Sequence, residues 1–273
     1  MKRITIQLPA NWYWYAYALV IVFILYLPLL GVGLASFSAD RYIHFPITDY
    51  SVKWYGVVLQ SEEIANLTAY SLAISAIVSV ASMVFAFFGA LAFTRYQWWG
   101  RSWYQKFILI PIFFPQYVLG LSMLLYFNAI GITPSWQTTI IAHLVWIAPI
   151  ATLIVVVLTH KLDPALEEAA KVLGASHPVV LREITFPLLL PAIVTAGIFA
   201  FLLSWGNLAL TLFTSGVDNT LSKWMFTKIK SAYDQKIPTL GILSMVFSAL
   251  AMALFFIFIK IWGNINKKYS NII

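Results

Sequence analysis

The chain has 273 residues, 61% of them hydrophobic and only 10% charged, with a mean hydropathy of +0.85. A soluble domain carries about 25% charged residues, so most of this chain faces something other than water. The absence of cysteine excludes disulfides and thiolate metal sites, and the net charge of +7 sits mostly in short loops beside apolar runs, where it reads as membrane topology and not as a nucleic-acid surface.

Six apolar runs are each long enough to cross a bilayer: Tyr15–Phe37, Asn66–Phe93, Phe107–Ile130, Gln137–Leu158, Leu190–Thr214 and Thr239–Ile259. None contains Lys, Arg, Asp or Glu. Uninterrupted runs of this length favour helices, because a barrel strand would alternate over about ten residues. The expected fold is therefore an all-α, polytopic membrane bundle of six transmembrane helices. It divides into an N-terminal segment (1–14), a helical domain (15–262) with a long loop at 159–189, and a basic tail (263–273). The first run follows Lys2 and Arg3 but lacks a small-residue cleavage site, so it reads as a retained helix.

Lys and Arg set the direction. With the N-terminus inside, eleven of the 17 basic residues fall in inside segments: Lys2, Arg3, Arg95, Arg101, Lys106, Lys161, Lys171, Arg182, Lys260, Lys267 and Lys268. Six fall outside: Arg41, Lys53, Lys223, Lys228, Lys230 and Lys236. The bias places both termini in the cytoplasm, with the lysine-rich loop 215–238 as the exception. Aromatic clusters at Trp12, Tyr13, Trp14, Tyr15 and Tyr17, and at Trp98, Trp99, Trp103 and Tyr104, suit the headgroup level. Lys53-Trp54-Tyr55 in the first outer loop suits a short surface helix.

The loop between the fourth and fifth runs, Thr159 to Leu189, is far longer than the outer loop before it, and long connections tend to be functional. Asp163 is placed to cap a helix, and Pro164 to open it where a missing N–H costs nothing. Leu166, Ala169, Ala170 and Leu173 share one face; Glu167 and Lys171 are spaced for an i,i+4 ion pair; Gly174 can close the helix in the left-handed region. Ser176 and Pro178 mark a second start, with a second short helix over Val179 to Phe186 ended by Pro187 and Pro191. A helix–turn–helix of this kind, with small residues on its first arm, suits insertion into a cleft of a second protein. A loop resting on headgroups is the other physical reading.

At these residues the chain resembles a known family. Glu168-Ala169-Ala170, three residues, Gly174, nine residues, Ile184, one residue, then Phe186-Pro187 looks like the EAA loop of bacterial ABC importer permeases, with Phe186 in place of the usual Leu. Tyr26-Leu27-Pro28-Leu29, Lys53-Trp54-Tyr55, Leu202-Leu203-Ser204, Thr220-Leu221 and Trp224-Met225 look like permeases of the spermidine/putrescine type. The resemblance implies the type I importer permease fold and a bacterial inner-membrane location. It implies that Glu167, Glu168, Ala169, Ala170, Leu173, Gly174, Ala175, Ile184 and Pro187 form the coupling helix and its surroundings. It also implies two cytoplasmic ATPase subunits that bind ATP and Mg, a second permease subunit that is a paralogue, and an external solute-binding protein. The lipid bilayer is the remaining partner.

This chain is not expected to be an enzyme. It carries no Gly-x4-Gly-Lys-Ser/Thr loop, no Ser/His/Asp arrangement and no His-x3-His pair, and no catalytic residue, cofactor or metal ligand is assigned to it. No ionisable acid or base lies in the six runs, where an ion-coupled carrier usually holds one; His143 is the nearest candidate, and hydrogen-bonded packing is its commoner role. A stand-alone carrier driven by an ion gradient is the alternative class, and a scaffold or channel a third. Pro111, Pro115, Pro149, Pro187 and Pro191 can bend their helices. Gln116, Tyr117, Asn128, Ser204, Trp205 and Asn207 are the candidate lining of a path for a small polar solute. After the Leu-Ser of span five the polyamine permeases tend to carry acids, whereas this chain has Trp205-Gly206-Asn207, so sugars and other polar solutes stay open beside polyamines.

Overall fold

A computed structural model describes the backbone of residues 12–40, 46–231 and 234–270, and the side chains of 13–40, 46–231 and 234–261. Lys2, Arg3 and Arg41, the side chains of Trp12, Lys267 and Lys268, and most of the N-terminal segment lie outside the described residues.

The helices are α1 (Trp12–Ser36), α2 (Lys53–Leu59), α3 (Glu62–Thr94), α4 (Arg101–Phe107), α5 (Ile110–Phe113), α6 (Gln116–Ala129) and α7 (Trp136–Lys161). They continue as α8 (Pro164–Val172), α9 (His177–Val180), α10 (Phe186–Trp205), α11 (Thr211–Thr214), α12 (Leu221–Ser231) and α13 (Lys236–Ser270), with a π turn at Leu181–Thr185 between α9 and α10. Among the described residues five helices are long and apolar enough to span a membrane, and a sixth span follows if the bent pair Arg101–Phe113 and Gln116–Ala129 counts as one.

Three of the expected spans differ in form. The third is broken by 105° instead of running straight from Phe107 to Ile130. Phe114 is extended (φ −77°, ψ 134°), as a residue before proline prefers, so the helix stops there and α6 restarts behind Pro115. The fifth begins earlier and ends earlier than Leu190–Thr214: the helix runs from His177 to Trp205. Pro187 and Pro191 do not end it. The π turn has Phe186 N–H reaching Leu181 O, and this wider turn carries the chain into the proline that follows. The sixth continues as helix to Ser270, where a basic tail from 263 was expected. The short helix at Lys53 is present as α2.

The chain divides into two compact units. The first holds Met1–Ser61 with Lys228–Val246. In it the end of α1 meets the loop behind it through an antiparallel bridge between Ser38 and Tyr50, and Ser36 Oγ lies 2.8 Å from Tyr55 OH on α2. Buried Gln235 donates from Nε2 to Ala35 O, which supplies a partner to a carbonyl at the C-terminal end of α1.

The second unit holds Glu62–Thr227 with Phe247–Ile273 and has α3, α7 and α10 at its centre. Its core is built largely from small residues: Ala86 and Ala90 of α3, Ala151 of α7, and Ala192, Ala196 and Ala200 of α10 are all buried. Where lipid is as apolar as the side chains, helices associate by close packing and interhelical hydrogen bonds, and small residues permit both. Ser79 Oγ on α3 donates 2.7 Å to Gly197 O on α10 at such an approach. Phe87, Val155, Leu189 and Ile193 fill the remaining space.

Candidate functional site

The elbow between α7 and α10 is shaped by local chemistry at both ends of α8. Asp163 Oδ1 accepts from Ala165 N at 2.9 Å, and Pro164 occupies the first helical position. At the other end Gly174 has φ +89°, Ala175 N donates to Ala170 O at 3.0 Å, and Gly174 N donates to Lys171 O at 3.0 Å. This pair of bonds is the Schellman closure, which needs a left-handed residue and so selects glycine.

No residue of α8 is buried. Leu166 (49% exposed), Val172 (86%) and Leu173 (88%) stand out with Glu168 and Ala169, while Ala170, Ala175, Ile184 and Pro187 are half-buried. Two adjacent large apolar side chains at such exposure leave apolar area uncovered at the tip of a rigid turn.

Glu167 does not pair with Lys171. It turns toward the spans, where Oε1 lies 3.7 Å from Arg95 Nε and accepts from Thr185 Oγ1 at 3.1 Å. The side chains of Arg95 and Glu167 are 14% and 16% exposed. Arg95 Nη2 also donates 2.6 Å to Leu162 O, the carbonyl that ends α7. The next residue, Tyr96, places its OH 2.8 Å from His177 Nε2 at the start of α9. Burial first, and the charge of Glu167 second, push the Tyr96 hydroxyl above its ordinary value, so it stays a neutral phenol. Neither contact has a local sequence signal; each joins segments far apart in the chain.

The neighbouring carbonyls of α3 are also capped by side chains. Arg101 Nε and Nη2 donate to Phe93 O (3.1 Å) and Thr94 O (3.2 Å), Gln105 Nε2 to Phe93 O (2.8 Å), and Trp98 Nε1 to Ala92 O (3.0 Å). Arg101 and Trp98 therefore terminate a helix as well as marking an interface.

The six candidate path residues do not form one cluster. Gln116, Tyr117 and Asn128 lie on α6, half-buried in the first case and exposed in the other two (Tyr117, 53%). Ser204 is buried and 2.9 Å from His143 Nδ1; His143 Nε2 is 3.0 Å from Thr211 Oγ1. Asn207 is buried, and its Oδ1 accepts from Leu210 N at 3.0 Å, capping the turn into α11. Thr211 Oγ1 donates 2.7 Å to Asn207 O. Trp205 stacks on Phe201 (centroids 6.5 Å, 6°) and leans on Phe247 (5.0 Å). The turn behind span five is thus stitched to α7, with Thr138 Oγ1 donating 2.6 Å to Thr214 O at its far end.

A bundle of five or six apolar helices with an exposed, doubly capped elbow before its penultimate span has the architecture of a type I ABC importer permease. The likeness to solved structures bears this out as fold. The permease of a bacterial importer of the acidic polysaccharide alginate superposes with a TM-score of 0.64 at 16% identity, over 90% of this chain and 94% of that one. A chain of the MetNI methionine ABC transporter gives 0.59 at 18%, over 74% and 99%. The chain belongs to the family of binding-protein-dependent transport system inner membrane components, whose model matches residues 82–268. It is similar to the spermidine/putrescine transport system permease protein PotC of Haemophilus influenzae, 26% identical over 84% of this chain and 89% of that one. It is also similar to the putrescine transport system permease protein PotI of Escherichia coli K12, 28% identical over 80% of each. The chain is accordingly a multi-pass inner-membrane permease subunit of an ABC importer.

Proposed function

We propose that the elbow centred on Glu168, Ala169, Ala170 and Gly174 lies in the cytoplasm and seats in separate ATPase subunits, two per complex, which bind ATP and Mg. Both chain termini then lie on the same side as the elbow. The observation that carries this reading is the exposure of Val172 and Leu173 at the tip of a helix capped at both ends. An uncovered apolar pair on a rigid turn is suited to a complementary cleft, and the fixed caps let it transmit displacement and not absorb it. Closure of the ATPases would move the elbow, and the spans would switch between inward- and outward-facing arrangements whose balance depends on nucleotide state.

The remaining parts of the machine are a second, paralogous permease subunit and an external protein that delivers the solute. The solute is small and polar. The names of PotC and PotI favour a polyamine, whereas Trp205-Gly206-Asn207 supplies no carboxylate for one and leaves a sugar or related solute open. Gln116, Tyr117, Asn128, Trp205 and the Asn207 amide are the side chains proposed along its path, with Ser204 buried behind them.

The test is co-purification. A tagged wild-type chain drawn from its native membrane in mild detergent should bring down a nucleotide-binding subunit, and Leu173→Asp should lose it while the chain stays folded. Retention of the ATPase by Leu173→Asp, or labelling of the elbow from the external face, overturns the reading.

A further inference from the structure

α3 has no covalent link to the elbow, unlike α7 and α10, which lead into and out of it. The elbow is not packed onto α3 either: a polar cavity of about 350 Å³ separates them, lined by Arg95, Glu167, Lys171, His177 and Thr185 among others. What crosses the gap is two consecutive side chains at the end of α3. Arg95 reaches Leu162 O and Glu167, and Tyr96 reaches His177. Among the described residues Glu167 is the α8 side chain that bonds to the body of the bundle.

We propose that Arg95 and Tyr96 form a clamp that fixes both limbs of the elbow to α3, with Glu167 as the positioning residue through which displacement of α8 is passed into that span. The planar guanidinium suits the task, because its separate N–H groups address the end of α7 and the carboxylate of α8 at once. Side chains that are mostly buried and of opposite charge hold one another in place: freeing either leaves a charge out of water without its partner. Apolar sliding across the cavity is replaced by a polar joint with one preferred geometry. That motion of the elbow carries nucleotide-driven force rests on the docking reading above; the clamp itself rests on these contacts.

The chain has no cysteine, so spin labels at Ala165→Cys and Trp99→Cys report the elbow and the segment beyond α3 without a background. In nanodiscs the full chain should give one narrow distance. Glu167→Gln, which keeps the shape and the acceptor for Thr185, should lose it, and so should Arg95→Gln; Thr185→Val should keep it. In the assembled complex the wild-type pair should hold its distance when ATP and vanadate are added, since elbow and α3 travel together. A Glu167→Gln distribution as narrow as wild type overturns the clamp, as does a nucleotide-dependent change in the wild-type distance. If Arg95→Gln does not fold, Glu167→Gln decides. Absence of a co-purifying ATPase removes the docking reading and leaves the nanodisc comparison intact.

Discussion

His143 on α7 and Ser204 on α10 share a buried hydrogen bond of 2.9 Å in which the serine is the donor. The direction follows from the rest of the chain of bonds. Thr211 Oγ1 gives its proton to Asn207 O, so it can only accept from His143 Nε2–H; in the neutral ring Nδ1 then carries the lone pair and takes the Ser204 proton. Both ring nitrogens are used, which makes His143 a pin between three segments and leaves it no site for a driving ion. Ser204→Ala should cost about 0.6 kcal/mol, the usual size of an interhelical hydrogen bond in a membrane. His143→Ala removes two bonds and opens a cavity, for about 2–3 kcal/mol. Titration with SDS in mixed micelles reads both, and equal costs for the two variants would refute the pin.

Two glycines of positive φ should respond differently to alanine. At Gly174 a Cβ meets nothing within 4 Å, so Gly174→Ala carries only the left-handed backbone penalty, about 1–2 kcal/mol. At Gly216 (φ +58°) a Cβ would also run into the carbonyl of Pro134, which is backbone and cannot swing aside. Gly216→Ala should therefore lower the SDS unfolding midpoint well below that of Gly174→Ala. The latter should show mainly as faster proteolysis within the elbow, a local opening. A reversed order of the two midpoints would contradict the assignment of strain.

The amide of Asn207 divides into two halves with different duties. Oδ1 caps Leu210 N, whereas Nδ2 makes no hydrogen bond among the described residues. Asn207→Asp keeps the cap acceptor and should retain stability to within about 0.5 kcal/mol, whereas Asn207→Ala should cost about 1 kcal/mol, the value of a lost cap. If the amide also meets the solute, Asn207→Asp should change uptake by proteoliposomes of the complex without changing its unfolding midpoint. Putrescine is the first probe, and unchanged uptake would reduce Asn207 to its cap.

What the sequence shows plainly is chemistry that acts within a few residues. Asp163, Pro164 and Gly174 are read correctly because a cap depends on its own neighbours, and the apolar runs because bilayer thickness sets their length. Proline was harder. Pro115 stops a helix and Pro187 does not, and the difference lies in the extended Phe114 before one and the π turn before the other. Glu167 reads locally as a partner for Lys171; the ion it finds is Arg95, on a distant span. The path residues are legible as polar groups in apolar helices, but a sequence does not say that Ser204 faces His143 while Tyr117 faces outward. One signal was present and unread: Ala86 with Ala90, and Ala192, Ala196 and Ala200, recur every four residues along faces that turn out to be buried against other helices.

That stripe yields the last expectation. α3 and α10 come close enough at Gly197 that an added Cβ would press on Met83, with Ser79 Oγ also in van der Waals range. The Met83 side chain is flexible and can move; the hydrogen bond from Ser79 to Gly197 O is less forgiving, because it needs the two backbones to stay near. Gly197→Ala should then be tolerated at about 1 kcal/mol, whereas Gly197→Leu should force the helices apart and cost about 3 kcal/mol or more. Ser79→Ala in the Gly197→Leu background should add nothing further, since the bond is already broken. A double-mutant cycle on SDS midpoints measures this, and full additivity of Ser79→Ala with Gly197→Leu would show that close approach at Gly197 is not what holds α3 to α10.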